Sequence, residues 1–293
     1  MIADRGPNLV EAAKYIERFR DRIVIVKLGG ELLDGGPVLD RILPQVAVLW
    51  RVGLRPVIVH GGGRQVDAAC ADRGITPQKL AGRRITTPEV MTVIEDVVAG
   101  DLNQGIAARL RAEGVPTRDF SDGVSAAIRC VRRPPSSHEG ERVEWGEVGD
   151  VIDVDASVLC TEDAAWSVPV LPSVGQLEDG SWVNVNADTV AARLAASLGA
   201  TKVVLLTSVA GVMADPTAAG PISELTASQC RAIIAQGVAQ GGMRAKIEEA
   251  LKAIEGGVPR VHIISGRDPY TLLREIFTDE GCGTLVVPDA EVS

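Results

Sequence analysis

A chain of 293 residues, 46% hydrophobic but only 3% aromatic, can form one large domain or two lobes around an aliphatic, alanine-rich core. That composition favours a parallel sheet flanked by helices over an all-β sandwich. A net charge of −9, with no block of like charge and no basic stripe, argues against nucleic acid or an anionic membrane as partner, yet leaves room for a small anion held by local cations.

The start, Met1-Ile2-Ala3-Asp4-Arg5, lacks the charged-then-apolar order of a secretory signal, and no apolar run approaches membrane-spanning length, so a soluble, cytoplasmic protein is expected. The first predicted element is a helix over residues 9–20, where Leu9, Ala12, Ala13, Ile16 and Phe19 follow helical spacing. Asn8 with Glu11 three residues on makes a capping box. The apolar stripe docks either on its own domain or on another subunit. Next, Ile23-Val24-Ile25-Val26 runs into Lys27-Leu28-Gly29-Gly30. Such a run reads as a buried parallel strand, and its carboxyl end is where open α/β sheets place ligands. Glycines there let N–H groups approach an anion, and Lys27 adds a full positive charge.

A helix is expected at 38–51, after which Pro56-Val57-Ile58-Val59 repeats the pattern through His60-Gly61-Gly62-Gly63 into a helix from Gln65. A strand passing through glycines into a helix start is again an anion cradle. Neither segment is a P-loop or a GxGxxG dinucleotide motif. Each alone fits a tight turn equally well, but the pair, with a lysine inside the first, predicts two anionic groups.

Gly82-Arg83-Arg84-Ile85-Thr86-Thr87-Pro88-Glu89 then enters a long helix at 88–112, with Thr87 as N-cap and Pro88 at N1. Adjacent arginines form a carboxylate clamp if one points inward; local sequence favours two solvated side chains. Residues 126–151 read as a hairpin whose polar tip, 134–140, leaves His138 facing solvent. A strand at 169–172 leads through Glu178-Asp179-Gly180 to Asn184-Val185-Asn186-Ala187-Asp188, whose alternation puts Asn184, Asn186 and Asp188 on one side. Asn186 also caps an alanine-rich helix ending near Gly199. Asp188 either favours that helix dipole by under about 1 kcal/mol or fixes nearby lysines.

A hinge near Gly199-Ala200 precedes a second βα set at 202–206, 227–236, 243–254, 261–264 and 271–277. Gly241-Gly242-Met243-Arg244-Ala245-Lys246 opens a helix with Met243, Ile247, Ala250, Leu251 and Ile254 on its buried stripe. Arg244 and Lys246 thus sit at the wrong end of the dipole for cations, which points to an anion there; a surface pair of Lys246 with Glu249 is the alternative. Five scattered cysteines (Cys70, Cys130, Cys160, Cys230, Cys282) without a CxxC read as reduced thiols, and three histidines lack metal-site spacing.

In this order, Lys27-Leu28-Gly29-Gly30, His60-Gly61-Gly62-Gly63, Gly82-Arg83-Arg84-Ile85-Thr86, Asn184-Val185-Asn186-Ala187-Asp188-Thr189, Gly241-Gly242-Met243 with Lys246, and His262-Ile263-Ile264-Ser265-Gly266-Arg267 resemble the amino acid kinase family over residues 8–288. Within it, the likeness is to the branch that phosphorylates N-acetyl-L-glutamate in arginine biosynthesis. The resemblance implies an α/β fold: an open, mainly parallel sheet flanked by helices on both faces. It implies an N-terminal helix (1–20) for oligomerisation and arginine response, an acyl-substrate and phosphoryl-acceptor lobe (21–199), and a nucleotide lobe (200–293).

By the same resemblance, ATP with its Mg2+ is the donor and the product is N-acetyl-L-glutamyl 5-phosphate, with no metal held by the protein itself. Carried over by position, Lys27 and Lys246 neutralise the transferring phosphoryl, Asp188 orients both, and Gly29, Gly30 and Gly62 offer it N–H groups. Gly62, Gly63, Arg84 and Asn184 hold the acyl substrate, and Thr207, Ser208, Val209, Gly211 and Gly242 line the nucleotide. Arginine-inhibited members interlace such N-terminal helices between dimers into a hexamer. Tyr15, Glu280 and Gly281 match their arginine site, so L-arginine as feedback inhibitor and a homo-oligomer, dimer or hexamer, are implied. A PII-type regulator is compatible with this reading.

The chain departs from the family pattern at Ser208, where an aspartate is frequent, in the loop Asp119-Phe120-Ser121-Asp122-Gly123, and at the hairpin tip 134–140. Two other functions stand beside the first. One is a kinase of acetylated or carrier-linked α-aminoadipate in lysine biosynthesis, hinted at by Arg129, Arg132 and Arg133. The other is a non-catalytic arginine or nucleotide sensor, against which the joint presence of Lys27, Asp188 and Lys246 speaks.

Overall fold

The computed structural model describes residues 7–34, 36–80, 83–121, 127–138, 141–159, 166–214 and 220–289. In chain order its elements are α1 (Leu9–Phe19), β1 (Ile23–Leu28), α2 (Leu39–Arg51), β2 (Arg55–His60), α3 (Gly63–Asp72), β3 (Lys79–Leu80), β4 (Arg83–Arg84), α4 (Pro88–Ile94), α5 (Asn103–Ala112) and β5 (Thr117–Asp119). There follow β6 (Ile128–Arg132), β7 (Ser136–His138), β8 (Glu141–Val143), β9 (Gly149–Val154), β10 (Val168–Pro172), β11 (Val174–Gln176), β12 (Trp182–Asn184) and α6 (Ala187–Ser197). The last are β13 (Lys202–Thr207), β14 (Glu224–Thr226), α7 (Ala227–Ala235), α8 (Gly241–Glu255), β15 (Val261–Ser265), α9 (Thr271–Phe277) and β16 (Thr284–Val287).

Eight strands make one sheet in the order β14-β16-β15-β13-β1-β2-β10-β5, in which only β15 and β16 are antiparallel. β1 and β13 come from opposite sides of the expected hinge, yet are neighbours in register, with Lys27 beside Leu205 and, on the other flank, Val59. A smaller sheet, β12-β11-β6-β9, contains the expected hairpin, with β7 and β8 at its tip. Residues 139 and 140, the side chain of His138, Gly82, residues 122–123 of the altered loop and Cys160 lie outside the described residues. Cys70, Cys130, Cys230 and Cys282 are free thiols. No helix among the described residues is long and apolar enough to cross a membrane.

Strand alternation sorts side chains onto two faces of the large sheet. Ile25, Val57, Val59, Leu205 and Ile263 join the core beneath α6, α7 and α8, whereas Val24, Val26, Ile58, Val204 and Ile264 join the core beneath α1, α2, α5 and α9. Each fully buried Val, Ile or Leu stabilises by about 1.5–3 kcal/mol, so the register is strongly fixed. Parity then decides what the polar strand residues meet. Lys27 shares the face of Ile25 and looks toward α6 and α8; His60, Lys202 and His262 take the other face.

Two local expectations are corrected. Asn8 does cap α1, accepting from the Val10 N–H, but Glu11 does not close a capping box; it accepts the Asp279 N–H instead. Of the α1 stripe, Ala12 and Phe19 are buried while Leu9 and Ala13 stay exposed. The long helix at 88–112 contains a π-helical stretch, Glu95–Leu102, between α4 and α5. Thr87 and Pro88 start it as expected.

Candidate active site

The parallel register carries the ends of β1, β2 and β13 to one edge, where the two glycine loops touch. A Cβ on Gly30 would stand 3.1 Å from the Gly63 nitrogen and 3.5 Å from that of Gly62. No N–H of Gly30 or Gly62 is engaged with another described residue, so both remain available to an anion. Gly29 differs from expectation: its N–H donates to the Leu206 carbonyl at 3.1 Å, which removes it from the set of free donors.

Lys27, at the end of β1, is buried, and its ammonium lies 2.6 Å from Asp188 Oδ1 in the first turn of α6. Asn186 caps that helix, accepting from the N–H groups of Asp188 and Thr189, so the carboxylate is held by the helix start as well as by its partner. Burial pushes the Asp188 carboxyl up, but the charges of Lys27 and Lys246 outweigh it and hold the group below its ordinary value, hence ionised. Lys246, one turn into α8, forms no ion pair with a described residue. Burial, aided by the Lys27 charge, pulls its ammonium down against the opposing pull of Asp188 and Glu31. The alternative pairing with Glu249 is absent, since Glu249 takes Lys252 at 2.8 Å. Lys246, far from Lys27 along the chain, thus lies near enough for its charge to act on the carboxylate that Lys27 contacts.

Arg84 is not solvated: it donates to the Gly63 carbonyl at 2.8 Å and pairs with Asp67 at 2.7 Å, both on α3, while Arg83 is exposed. Asn184 donates to buried Thr86 at 3.0 Å, two residues after Arg84, so one short segment is tied to α3 through Arg84 and to β12 through Thr86. In the nucleotide set, Thr207 ends β13 and accepts the Val209 N–H at 3.3 Å. The Ser208 hydroxyl donates to Glu31, which restores a carboxylate beside the position where the family often has one. Gly242 lies at the start of α8, where Gln240 supplies no side-chain cap and a Cβ would meet nothing, an open helix end suited to phosphate. Gly211 is placed inward, where a Cβ would stand 2.6 Å from Thr284 Oγ1.

At the amino ends of the strands, the Tyr15 hydroxyl donates to Asp279, next to Glu280 and Gly281. A Cβ on Gly281 would stand 3.0 Å from the Glu275 carboxylate, which contacts His262 at 2.6 Å. Sequence reasoning missed Glu31, Glu275, His262, Asn103 and Asp67. A cavity of about 840 Å3 lined by Glu95, Asp101, Gln104, Ser121 and Trp182 contains none of these charges. The paired ions and free glycine donors lie at the sheet edge instead.

A mainly parallel sheet with two glycine loops and a buried lysine–carboxylate pair at one edge suits an anion, and the chain belongs to the amino acid kinase family, whose profile matches residues 22–265. Its curated relatives include the acetylglutamate kinase of Symbiobacterium thermophilum, 42% identical over 97% of this chain and 98% of the relative, and that of Myxococcus xanthus, 38% identical over 95% and 93%. Among solved structures, the N-acetylglutamate synthase of Neisseria gonorrhoeae complexed with coenzyme A and N-acetyl-glutamate matches with a TM-score of 0.83 and 28% identity. The match covers 98% of this chain but 65% of the synthase's length. Carbamate kinase of Giardia lamblia, at 16% identity and TM-score 0.62, shares the fold.

Proposed function

We propose that the protein transfers the γ-phosphoryl group of MgATP to the side-chain carboxylate of N-acetyl-L-glutamate, giving N-acetyl-L-glutamyl 5-phosphate and ADP. The observation that carries this reading is the buried Lys27–Asp188 pair with Lys246 acting on the same carboxylate. The names of the relatives favour this acyl substrate over α-aminoadipate and an enzyme over a sensor.

In this reading the lobe at 21–199 takes the acyl amino acid and that at 200–293 takes the nucleotide. The accepting carboxylate is ionised at neutral pH, so no general base is needed, and positioning with charge stabilisation supplies the catalysis. Lys27 and Lys246 lie against the oxygens of the passing phosphoryl group, and Gly30 and Gly62 donate N–H groups to it. Asp188 keeps the two ammoniums aimed at one point. Arg84, held by Asp67 and Gly63, takes the α-carboxylate in this reading, with Asn184 as its second polar contact. Thr207, Ser208, Val209 and Gly242 border the nucleotide, whose Mg2+ arrives with it.

Hydroxylamine trapping tests the activity directly. ATP and N-acetylglutamate together should yield the acyl hydroxamate, and omission of either should abolish it. Turnover of an α-aminoadipate derivative alone would refute the assignment of substrate.

Regulation belongs to the same proposal. A solved N-acetylglutamate synthase of similar fold (TM-score 0.80, 26% identity) is complexed with L-arginine. Tyr15 bonds Asp279, the residue before Glu280 and Gly281, where α1 meets α9, and arginine binding there would link the active site to a homo-oligomer built through α1. Deleting residues 1–20 should abolish arginine inhibition and reduce a hexamer to a dimer; an unchanged mass and response contradict this. A PII-type protein is a further candidate regulator.

A further inference from the structure

The two glycine loops are joined by a side chain that no role above uses. Gln65 is the third residue of α3. Its Nε2 donates to the Gly30 carbonyl at 3.0 Å and to Asp34 Oδ1 at 2.6 Å. A primary amide nitrogen carries two N–H groups, so both acceptors are met at once, and the reverse orientation would set Oε1 against a carbonyl and a carboxylate oxygen. The partners therefore fix which way the amide points. Its Oε1 is buried and has no partner among the described residues. A side chain kept only for packing would be apolar and avoid that cost, which turns attention to what the two N–H groups hold.

What they hold together is the donor side and the acceptor side of the site. β1 and β2 run in register as far as Leu28 and His60, and the Gly61 N–H adds a last bond to the Leu28 carbonyl at 3.3 Å. Beyond it, no backbone hydrogen bond links the two loops among the described residues. The Gly30 carbonyl also accepts the Leu33 N–H at 3.2 Å, which shapes the turn but leaves its place relative to α3 open. Gln65 sets that place. The spacing is close, since a Cβ on Gly30 would stand 3.1 Å from the Gly63 nitrogen. The start of α3 also serves the acyl substrate in the kinase reading, because the Gly63 carbonyl and Asp67 hold Arg84. Asp34 is a second tether, bonded to Gln65 and to Arg64 at 2.7 Å, but it is exposed and lies four residues past Gly30.

We propose that Gln65 is a positioning residue that sets the distance between acceptor and donor: its bond to the Gly30 carbonyl locks the phosphoryl loop to α3, the helix whose start seats the acyl substrate. It acts through Gly30 and not on either substrate. The inference rests on the kinase reading and deepens it, by naming what keeps the attacking carboxylate and the γ-phosphoryl group in line.

Two substitutions separate the two bonds. Gln65→Met keeps the length and loses both donors; Asp34→Ala removes one acceptor and leaves the Gly30 bond. The clamp predicts that Gln65→Met lowers kcat by about 10–100-fold, with KM for ATP and N-acetylglutamate changed by less than about threefold, since each substrate keeps its own contacts. Asp34→Ala should keep kcat within about threefold of wild type, whatever it does to the melting temperature. A glutamine needed only to hold Asp34 predicts equal kcat in the two. Gln65→Glu, the same shape without donors, is the second probe and should fall at least as far as Gln65→Met. The Glu31 amide resonance in 15N-labelled protein reads the clamp without turnover, because that N–H shares a peptide plane with the Gly30 carbonyl. It should move in both Gln65 variants and stay near its wild-type position in Asp34→Ala. Wild-type kcat in either Gln65 variant, an equal loss in Asp34→Ala, or an unmoved Glu31 resonance in Gln65→Met overturns the clamp. Wild-type protein that makes no hydroxamate refutes the kinase reading instead, while the resonance test still decides whether Gln65 holds the loop.

Discussion

Asp188→Asn is the sharpest perturbation of the site, because it removes a charge and leaves the shape. Lys27 and Asp188 are 2.6 Å apart and both buried. At an effective dielectric of about 20, that separation corresponds to roughly 6 kcal/mol of attraction, opposed by the cost of desolvating both ions. Removing one member of a buried pair leaves the other uncompensated and costs about 3–5 kcal/mol. Here the stranded charge is worse than usual, since Lys246 adds a second cation to the same space. At about 2–4 °C per kcal/mol, the midpoint of thermal unfolding should fall by roughly 6–20 °C. Losing the group that aims both lysines should lower kcat by about 10²–10³-fold. Two further measurements separate charge from packing. MgADP with inorganic phosphate should return much of the lost stability to the variant, because the anion replaces the missing counter-charge. Adding Lys27→Met to Asp188→Asn should restore stability without restoring activity. An unfolding midpoint that stays put, or a loss that neither the anion nor the second substitution reduces, would show that the three charges do not act as a unit.

Lys246→Ala should lose mainly kcat and Arg84→Ala mainly affinity for the acylated amino acid, by about 10–100-fold in KM; steady-state kinetics with both substrates varied separates them. Gly62→Ala, whose Cβ would meet Val98 and Leu102 at 2.8 Å, should destabilise by about 1–3 kcal/mol. Gly63→Ala has open space and should leave the denaturation curve unmoved, so equal destabilisation of the two would contradict the close approach of loop and π-helical stretch. Burial raises the Glu275 carboxyl, but the His262 contact and the Cys282 N–H outweigh it and hold the group at about 2 against its ordinary 4.5. A depressed carboxyl contributes stability that is complete above its unfolded value and fades as pH falls through the folded one. Thermal melts should therefore lose stability between pH 4.5 and 2, with a slope that Glu275→Gln flattens.

Much of the frame was readable because the central parallel strands β1, β2, β13 and β15 are short, mostly apolar runs with turn residues at their ends. Thr87 and Asn186 announced their helices by capping chemistry that acts within three residues, and both caps are present. What local sequence could not give is the destination of a long side chain. Glu11 satisfies both a capping box and a distant N–H, and the tertiary partner wins. Arg84 read as solvated because its partner is not in its own segment; Asp67 reaches it from α3. The π-helical stretch has no compositional mark at all; in the structure its Val98 and Leu102 lie close against Gly62. The β14 and β16 strands went unread, being short and, in Glu224–Thr226, partly polar.

A rule connecting sequence to site does emerge from the polar residues that sit where apolar ones belong. Lys27, His60 and His262 interrupt buried strands, and Asp188, Asn103 and Glu275 interrupt buried helix stripes: Asp188 with Ala191 and Ala192, Asn103 with Ile106 and Ala107, Glu275 with Leu272 and Ile276. A buried polar group without a partner costs about 1–3 kcal/mol or more, so each strand residue must find one of the helix residues. Sheet parity says which. Lys27 lies on the face of α6 and α8 and takes Asp188; His60 lies on the face of α5 and takes Asn103; His262 lies on the face of α9 and takes Glu275. Position along the strand then separates their work. The first two stand at the carboxyl ends, where the two glycine loops meet, whereas His262 stands near an amino end and contacts Glu275, against which Gly281 lies. Lys202, the remaining buried strand cation, departs from the pairing: its ammonium lies over the Phe19 ring and 3.3 Å from His262.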